Sequence, residues 1–148
     1  MQEIKILVVE DDRAVRNLIT TTLETQKYHY YIAANGEQAI LQAVSTQPDI
    51  IILDLGLPDM DGIEIIKKYR TWSNNPIIVV SARSEDKEKI EALDAGADDY
   101  LTKPFLMQEL LLRVQHLLQR AYRTELSRTK AAILQLGDRS VDLHDALV

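Results

Sequence analysis

Four apolar residues run directly into a carboxylate at Ile50-Ile51-Ile52-Leu53-Asp54. An unbroken run of Ile and Leu predicts a strand that is buried on both faces, as in a parallel sheet. A single charge at the end of such a strand is expensive to bury unless a partner offsets it. Asp54 is therefore the first candidate for a functional residue.

The run at 50–53 is one of five short apolar runs, and segments with helical spacing separate them. This alternation predicts an α/β fold, a doubly wound five-stranded parallel sheet flanked by helices. The run at 30–33 is aromatic and partly polar, which is typical of an edge strand. The predicted strands are 4–9, 30–33, 50–53, 77–80 and 100–101.

Apolar residues recur at helical spacing between these strands. The first helix should follow Asp12, which is placed as an N-cap. The segment 85–95 is more charged, with Ile90 and Leu93 as its clearest apolar anchors. We expect that helix to pack less firmly than the others and to be free to move. The predicted apolar face of the first helix comprises Val15, Leu18, Ile19, Thr22 and Leu23.

The composition excludes several kinds of protein and of metal site. The chain has 148 residues, 23 acidic and 17 basic ones, a formal charge of −6 and no cysteine. These values favour one folded domain plus a short extra segment, and they exclude disulfides and thiolate metal sites. No apolar run reaches the roughly 18 residues of a membrane span, so a cytoplasmic location is expected. The negative charge disfavours direct DNA binding by these residues.

The C-terminal part departs from the strand–helix alternation. Apolar periodicity fades after Arg120, which indicates a final helix that runs into a linker. Two short apolar segments on either side of Gly137, at 133–136 and 141–143, predict the strands of a hairpin, and two strands cannot bury a core. The predicted division is a domain at 1–121, a linker at 122–131 and the start of a truncated second domain at 132–148.

Polar residues follow the predicted strands, where ligands bind in open α/β sheets. Glu10, Asp11 and Asp12 follow the first strand, and Asp54 follows the third. Crowded carboxylates repel one another unless a cation relieves them, and Mg²⁺ prefers oxygen ligands together with phosphate. The sequence thus predicts a Mg²⁺ site, although the ligand types alone also admit Ca²⁺. The expected direct ligands are Asp11, Asp54 and the backbone carbonyl of Gly56.

Two further residues at the strand ends suit phosphoryl transfer. The Lys103 ammonium can pair with Asp54 at rest and with a phosphoryl oxygen later, and the Ser81 hydroxyl can bond another oxygen. Transfer depends on positioning and on charge neutralisation around a carboxylate nucleophile. Each residue alone has an ordinary alternative as a strand end, a helix cap or a surface lysine. Together they favour a phosphoryl site.

The order and spacing of these residues resemble the receiver domains of response regulators from about Ile4 to Arg120. The resemblance implies a flavodoxin-like, CheY-like sheet with strand order 2-1-3-4-5 and a bound Mg²⁺. The motifs that carry it are Val8-Val9-Glu10-Asp11-Asp12, Asp54-Leu55-Gly56-Leu57-Pro58-Asp59-Met60-Asp61-Gly62 and Ala95-Gly96-Ala97-Asp98-Asp99-Tyr100-Leu101-Thr102-Lys103-Pro104-Phe105.

The same resemblance gives the site residues their roles. Asp54 is implied to be the phosphoacceptor and Lys103 the active-site lysine, with a cis peptide bond before Pro104. Ser81 is implied to be the switch hydroxyl and Tyr100 the switch aromatic residue. We expect phosphorylation of Asp54 to draw Ser81 inward, so that Tyr100 fills the vacated space.

The last motif is most similar to the OmpR/PhoB subfamily, whose activated receivers pair through the fourth helix, fifth strand and fifth helix. The resemblance implies a sensor histidine kinase as phosphoryl donor and a winged-helix DNA-binding domain as output. Residues 54–59 and 81–84 look closest to KdpE-type regulators of potassium-transport genes. The ionic contacts implied across a two-fold dimer are Lys89 with Glu109, Asp99 with Arg113 and Asp98 with Arg120.

Two positions depart from the family pattern. Glu10 replaces the more widespread Asp, and we expect it to reach the metal through water. Gly56 replaces a larger residue and should leave water access open.

Two other classes of protein would need residues that this sequence lacks. A haloacid-dehalogenase-like phosphatase would need a second Asp where Gly56 stands. A flavodoxin-like cofactor domain would need Gly, Ser or Thr in place of Glu10, Asp11 and Asp12, which would repel a phosphate that arrived without a metal. We therefore expect a signalling switch rather than an enzyme.

Overall fold

The computed structural model describes residues 3–136, with the backbone alone for 123–136. It has five strands: β1 Lys5–Val9, β2 His29–Ala33, β3 Ile50–Leu53, β4 Ile77–Ser81 and β5 Asp99–Thr102. The strands are parallel and form one sheet in the order β2-β1-β3-β4-β5, as the family resemblance implied. Each strand lies within one residue of its predicted bounds.

Five helices connect and follow the strands. The Asp12 side chain accepts a hydrogen bond from the Val15 amide and caps the first helix, as predicted. Asn35 and Asp61 cap the second and third helices in the same way. The helices are α1 Arg13–Thr25, α2 Gly36–Thr46, α3 Gly62–Tyr69, α4 Asp86–Ala95 and α5 Met107–Leu136.

The sheet separates two apolar clusters because successive side chains of a strand point to opposite faces. Leu7, Ile51 and Leu53 face the cluster that contains side chains of α2 and α3. Ile6 and Ile52 face the cluster that contains side chains of α1 and α5. The central strands are thus buried on both faces, which explains why their sequences are continuous apolar runs.

Helix α4 is the least buried helix over the part of the chain whose side chains are described, as predicted, but its contacts differ from the prediction. Ile90 and Leu93, the expected anchors, are 65% and 44% exposed. Of the ten residues of α4, Ala92 alone is buried. The short side chain of Ala92 faces the apolar cluster that contains side chains of α2 and α3. The larger Ile90 and Leu93 therefore lie on the outer side of α4. The N-cap residue Glu85 makes no side-chain capping bond.

Helix α5 continues to Leu136, so residues 133–136 are helical where a strand was predicted. Ala, Leu and Gln are good helix formers, whereas a strand needs a paired neighbour to be stable. The second predicted strand, at 141–143, lies outside the described residues, and the division into domains stays a prediction. Among residues 3–136, no helix is long and apolar enough to cross a membrane.

Candidate phosphoryl-transfer site

The sheet register brings the polar strand ends together at one edge. Val9 pairs with Leu53, so the residues that follow them, Glu10 and Asp54, are neighbours. Ser81 ends β4 and pairs with Thr102, the residue before Lys103. The Lys103 amide also donates to the Ser81 carbonyl at 2.8 Å. Side chains from four strand ends therefore meet in one place.

Three carboxylates form a cluster that fits a hard cation. Oxygen atoms of Glu10, Asp11 and Asp54 all lie within 4.8 Å of one another. Glu10 and Asp54 are buried and Asp11 is exposed. An all-oxygen set with one face open to solvent suits Mg²⁺, which keeps several waters and often binds phosphate. Gly56 lies beside the cluster, and its amide donates to Asp54 Oδ1 at 3.2 Å.

The Lys103 ammonium bridges the two buried carboxylates. Its Nζ lies 2.7 Å from Glu10 Oε1 and 3.3 Å from Asp54 Oδ2. The predicted pairing with Asp54 is confirmed, and Glu10 is the nearer partner. Burial lowers the pKa of Lys103, but the Glu10 hydrogen bond and the Asp54 charge outweigh it, so the pKa is raised. The ammonium stays charged, and the peptide bond to Pro104 is cis.

Glu10 carries the strongest electrostatic perturbation of the site. Burial and the adjacent Asp54 raise the pKa of its carboxyl, Lys103 lowers it, and the net result is a pKa of about 7. The second oxygen of Glu10 accepts a hydrogen bond from the Asp12 amide at 3.2 Å. Without a divalent cation, a proton therefore relieves part of the carboxylate repulsion near neutral pH.

Ser81 and Tyr100 are joined through Arg83, a contact that the sequence did not predict. Buried Ser81 Oγ accepts a hydrogen bond from the Arg83 amide at 3.1 Å. The Tyr100 hydroxyl donates to the Arg83 carbonyl at 2.7 Å, and its ring packs against the core cluster of α2 and α3. In this conformation, Tyr100 thus already lies partly inside.

The loop between β3 and α3, which carries Gly56, is anchored on the start of α2. The Asp59 carboxylate accepts hydrogen bonds from the Gly36 amide at 2.7 Å and the Glu37 amide at 3.0 Å. These bonds lower the pKa of Asp59. Met60 covers Gly36 so closely that a Cβ atom at residue 36 would overlap Met60 Cγ. Sequence reasoning missed this anchor, because Asp59 and Gly36 lie 23 residues apart and no local pattern links them.

Five of the six predicted dimer residues lie around β5 and on α5, but their ion pairs form within one chain. The sixth, Lys89, lies on α4. Arg113 pairs with Asp99 at 2.9 Å and with Glu109 at 3.3 Å. Arg120 pairs with Asp98 at 3.1 Å. Asp99 begins β5 and Asp98 directly precedes it, so both lie within reach of α5. A dimer that used these residues between protomers would have to exchange existing pairs.

An apolar surface adjoins the site on the side of α1. A shallow cavity of about 400 Å³ is lined by Lys103 and by apolar side chains. Leu18 in this surface is 53% exposed, although the sequence placed it on the buried face of α1. The loop after β5 supplies the opposite wall. The apolar lining comprises Val15, Leu18, Pro104, Phe105 and Met107.

Comparisons with known proteins agree with this geometry. The family described as "Response regulator receiver domain" matches residues 6–115. The KDP operon transcriptional regulatory protein KdpE of Escherichia coli is 46% identical over 138 residues, or 93% of this chain and 60% of that protein. ResD of Bacillus subtilis, a transcriptional regulatory protein, is 38% identical over 147 residues, or 97% of this chain and 61% of that protein.

A solved structure gives the same fold. The receiver domain of a CheY-like response regulator from Methanospirillum hungatei matches with a TM-score of 0.80 and 27% identity, and covers 83% of this chain and 99% of that one. KdpE and ResD are OmpR/PhoB-type regulators, so the predicted subfamily is confirmed. The chain spans about 60% of the length of these curated relatives.

Proposed function

The chain belongs to the response regulator receiver family, and from this premise we propose that it accepts a phosphoryl group on Asp54 from a sensor histidine kinase. The observation that carries the proposal is the convergence on Asp54 of two further carboxylates and the Lys103 ammonium. A buried carboxylate with a cation-binding cluster and a neighbouring fixed positive charge suits phosphoryl transfer, which needs positioning and charge neutralisation.

In the proposed reaction, an Asp54 oxygen forms a bond to phosphorus as the bond from phosphorus to the kinase histidine nitrogen breaks. The electron pair of the broken bond stays on the nitrogen, and the product is an acyl phosphate. A bound Mg²⁺ would neutralise charge on the phosphoryl oxygens. Asp11, Asp54 and the Gly56 carbonyl would hold the ion, and Glu10 would reach it through water.

Lys103 and Ser81 would recognise the phosphoryl group itself. The Lys103 ammonium, which bridges Glu10 and Asp54, can exchange a carboxylate for a phosphoryl oxygen without moving far. Ser81 Oγ accepts a bond from the Arg83 amide, so its own hydrogen can be donated to another phosphoryl oxygen. Both contacts are charge-assisted and therefore stronger than ordinary hydrogen bonds.

The apolar surface beside Lys103 is the place that we propose for the kinase. It opens next to the acceptor site, so a partner seated there could bring a phosphohistidine to Asp54. Exposed apolar side chains that form one patch commonly mark contact sites for other proteins.

The proposed response to phosphorylation is a dimer formed through α4, β5 and α5. This surface carries the ion pairs of Asp98 and Asp99 and the exposed side chains of Ile90 and Leu93. Exposed ion pairs are worth only about 0–1 kcal/mol each, so they would set the register while apolar contacts supply affinity. Transcriptional output would need a winged-helix DNA-binding domain beyond the described residues, with potassium-transport genes as the proposed targets by analogy with KdpE.

Mass spectrometry after treatment with acetyl phosphate and Mg²⁺ tests the proposed function. We expect one labile phosphoryl group on the peptide that contains Asp54, and none in the Asp54→Asn variant or in the presence of a chelator. Acid-stable label on another residue would contradict the proposal. Steady turnover of p-nitrophenyl phosphate would instead favour a phosphatase.

A further inference from the structure

Arg83 makes three contacts that join the two loops at the mouth of the site. Its amide donates to Ser81 Oγ, and its carbonyl accepts from the Tyr100 hydroxyl. Its guanidinium crosses to the loop between β3 and α3, where Nη1 lies 3.3 Å from Asp61 Oδ2 and 3.4 Å from Oδ1. The side chain, the amide and the carbonyl of this residue are therefore all held.

The far end of this connection is the loop that carries Gly56. Asp61 forms an isolated antiparallel bridge with Gly56, and its Oδ1 caps α3 by accepting from the Ile63 amide. Asp61 is thus fixed at the start of a helix whose next residue, Gly62, packs against the backbone of Leu55 with no room for a side chain. Asp61 can therefore anchor Arg83, although its own side chain is the more exposed of the two, at 45% against 34%.

We propose that Arg83 is a positioning residue for phosphoryl transfer: its ion pair with Asp61 holds the peptide whose N–H orients the Ser81 hydroxyl toward the acceptor Asp54. This inference rests on the proposed function of Asp54. It assigns to the arginine a role through Ser81 rather than a contact with the phosphoryl group.

The chemistry of a hydroxyl supports this role. A serine hydroxyl has one hydrogen to donate and two lone pairs that accept. When the Arg83 N–H occupies one lone pair, the hydrogen of Ser81 is directed away from that amide and is available for a phosphoryl oxygen. Burial raises the pKa of the Tyr100 hydroxyl, so it stays protonated and keeps its bond to the Arg83 carbonyl. The peptide is therefore fixed at the N–H and at the carbonyl.

The test is a double-mutant cycle between Arg83 and Ser81. We expect Arg83→Ala to lower the rate at which acetyl phosphate labels Asp54 by about fivefold, the effect of one lost hydrogen bond. In a Ser81→Ala background, the same substitution should change the rate less than about twofold, because the hydroxyl that it positions is gone. Equal losses in both backgrounds would overturn the proposal and would indicate a direct contact or a general effect on the fold.

Two further variants separate the ion pair from the size of the side chain. Asp61→Asn keeps an oxygen that can cap α3 but removes the charge, and it should reproduce the loss seen with Arg83→Ala. Arg83→Lys keeps the charge and should recover most of the rate. If Asp61→Asn labels as fast as the wild type, the ion pair does not position Ser81. Lys87→Ala, which removes an exposed positive charge of α4, is the matched control.

A measurement on the unmodified protein keeps the proposal testable if a variant fails to fold. The Arg83 amide should be protected from hydrogen exchange in the folded wild-type protein, and Tyr100→Phe should reduce that protection. An Arg83 amide that exchanges as fast as an unstructured peptide would contradict the proposal. Absence of label on Asp54 in the wild type would refute the proposed function instead, so the two failures are distinguishable.

Discussion

The Lys103 ammonium lies closer to Glu10 than to Asp54, with Nζ to oxygen distances of 2.7 and 3.3 Å. Glu10 is therefore the nearer partner of the lysine in this structure. The same carboxylate is buried and has a pKa raised to about 7 from 4.5. The contact between Lys103 and Glu10 therefore depends on the protonation of Glu10, and so on pH.

The first prediction concerns the stability of the metal-free protein. In the unfolded chain Glu10 ionises near pH 4.5, whereas in the folded chain it keeps its proton until about pH 7. Stability should therefore fall as pH rises between these values, by at most about 3 kcal/mol, and should then level off. The raised pKa of Lys103 acts only in the alkaline range, outside this window. Thermal unfolding with a chelator at pH 5 and pH 8 measures the difference.

Glu10→Gln is the control for this prediction, because it keeps an oxygen that accepts from Lys103 but cannot ionise. The variant should show a smaller fall in melting temperature between the two pH values. Mg²⁺ should stabilise the wild-type protein more at pH 8 than at pH 5, since ionised carboxylates bind the metal. Parallel melting curves for wild type and variant would show that Glu10 does not carry the effect.

The second prediction concerns the lifetime of the phosphorylated protein. Gly56 is exposed, and a Cβ atom there would lie 4.0 Å from Asp54 Oδ1, its nearest neighbour. Gly56→Asn should fold normally and place an amide side chain over the acceptor. By displacing water from the acyl phosphate, it should slow hydrolysis by about twofold or more. Decay of the phosphorylated wild type, Gly56→Ala and Gly56→Asn measures the effect, and indistinguishable rates would refute it.

The third prediction concerns the anchor between Asp59 and α2. Asp59→Ala removes the acceptor for the Gly36 and Glu37 amides, so the loop that carries Gly56 should lose its fixed position. We expect weaker Mg²⁺ binding in a calorimetric titration, by about threefold or more, and a lower melting temperature. Asp59→Asn, which keeps one acceptor, should be intermediate. Asp94→Asn removes an exposed acid of α4 and should change neither value.

The sheet and its acidic edge could be predicted from the sequence because both follow from local patterns. Continuous apolar runs mark strands that are buried on both faces, and parallel strands bring their carboxyl ends to one edge. Glu10, Asp54 and Lys103 each follow a strand directly, so predicting the strands also predicted where these residues meet. The places of these three residues in the fold depend on where the strands end, which the sequence shows, and not on side-chain conformation, which it does not.

The contacts that sequence reasoning missed depend on loops and on the packing of whole helices. Arg83 and Asp61 lie in different loops, and only the folded sheet brings these loops together. Ile90 and Leu93 have helical spacing, but spacing does not reveal which side of α4 faces the sheet. The small Ala92 allows the helix to lie close, and a small residue carries a weak apolar signal.

The fourth prediction follows from this orientation of α4. Because Ile90 is 65% exposed, Ile90→Ala should change the free energy of unfolding by no more than about 0.5 kcal/mol. Ile66→Ala, at a fully buried position in α3, should cost about 2–5 kcal/mol and serves as the matched comparison. Chemical denaturation of both variants measures the contrast.

The same residue tests the proposed dimer surface. If α4 contributes apolar contacts to a phosphorylated dimer, Ile90→Ala should weaken dimerisation even though the monomer is as stable as the wild type. Sedimentation velocity with and without acetyl phosphate compares the two proteins, and labelling of Asp54 confirms equal phosphorylation. A destabilised monomer would mean that Ile90 packs inside the fold. If the monomer is stable and dimerisation is unchanged, the exposed Ile90 side chain contributes neither to the fold nor to the dimer. The dimer contact would then lie on a face other than the one that carries Ile90.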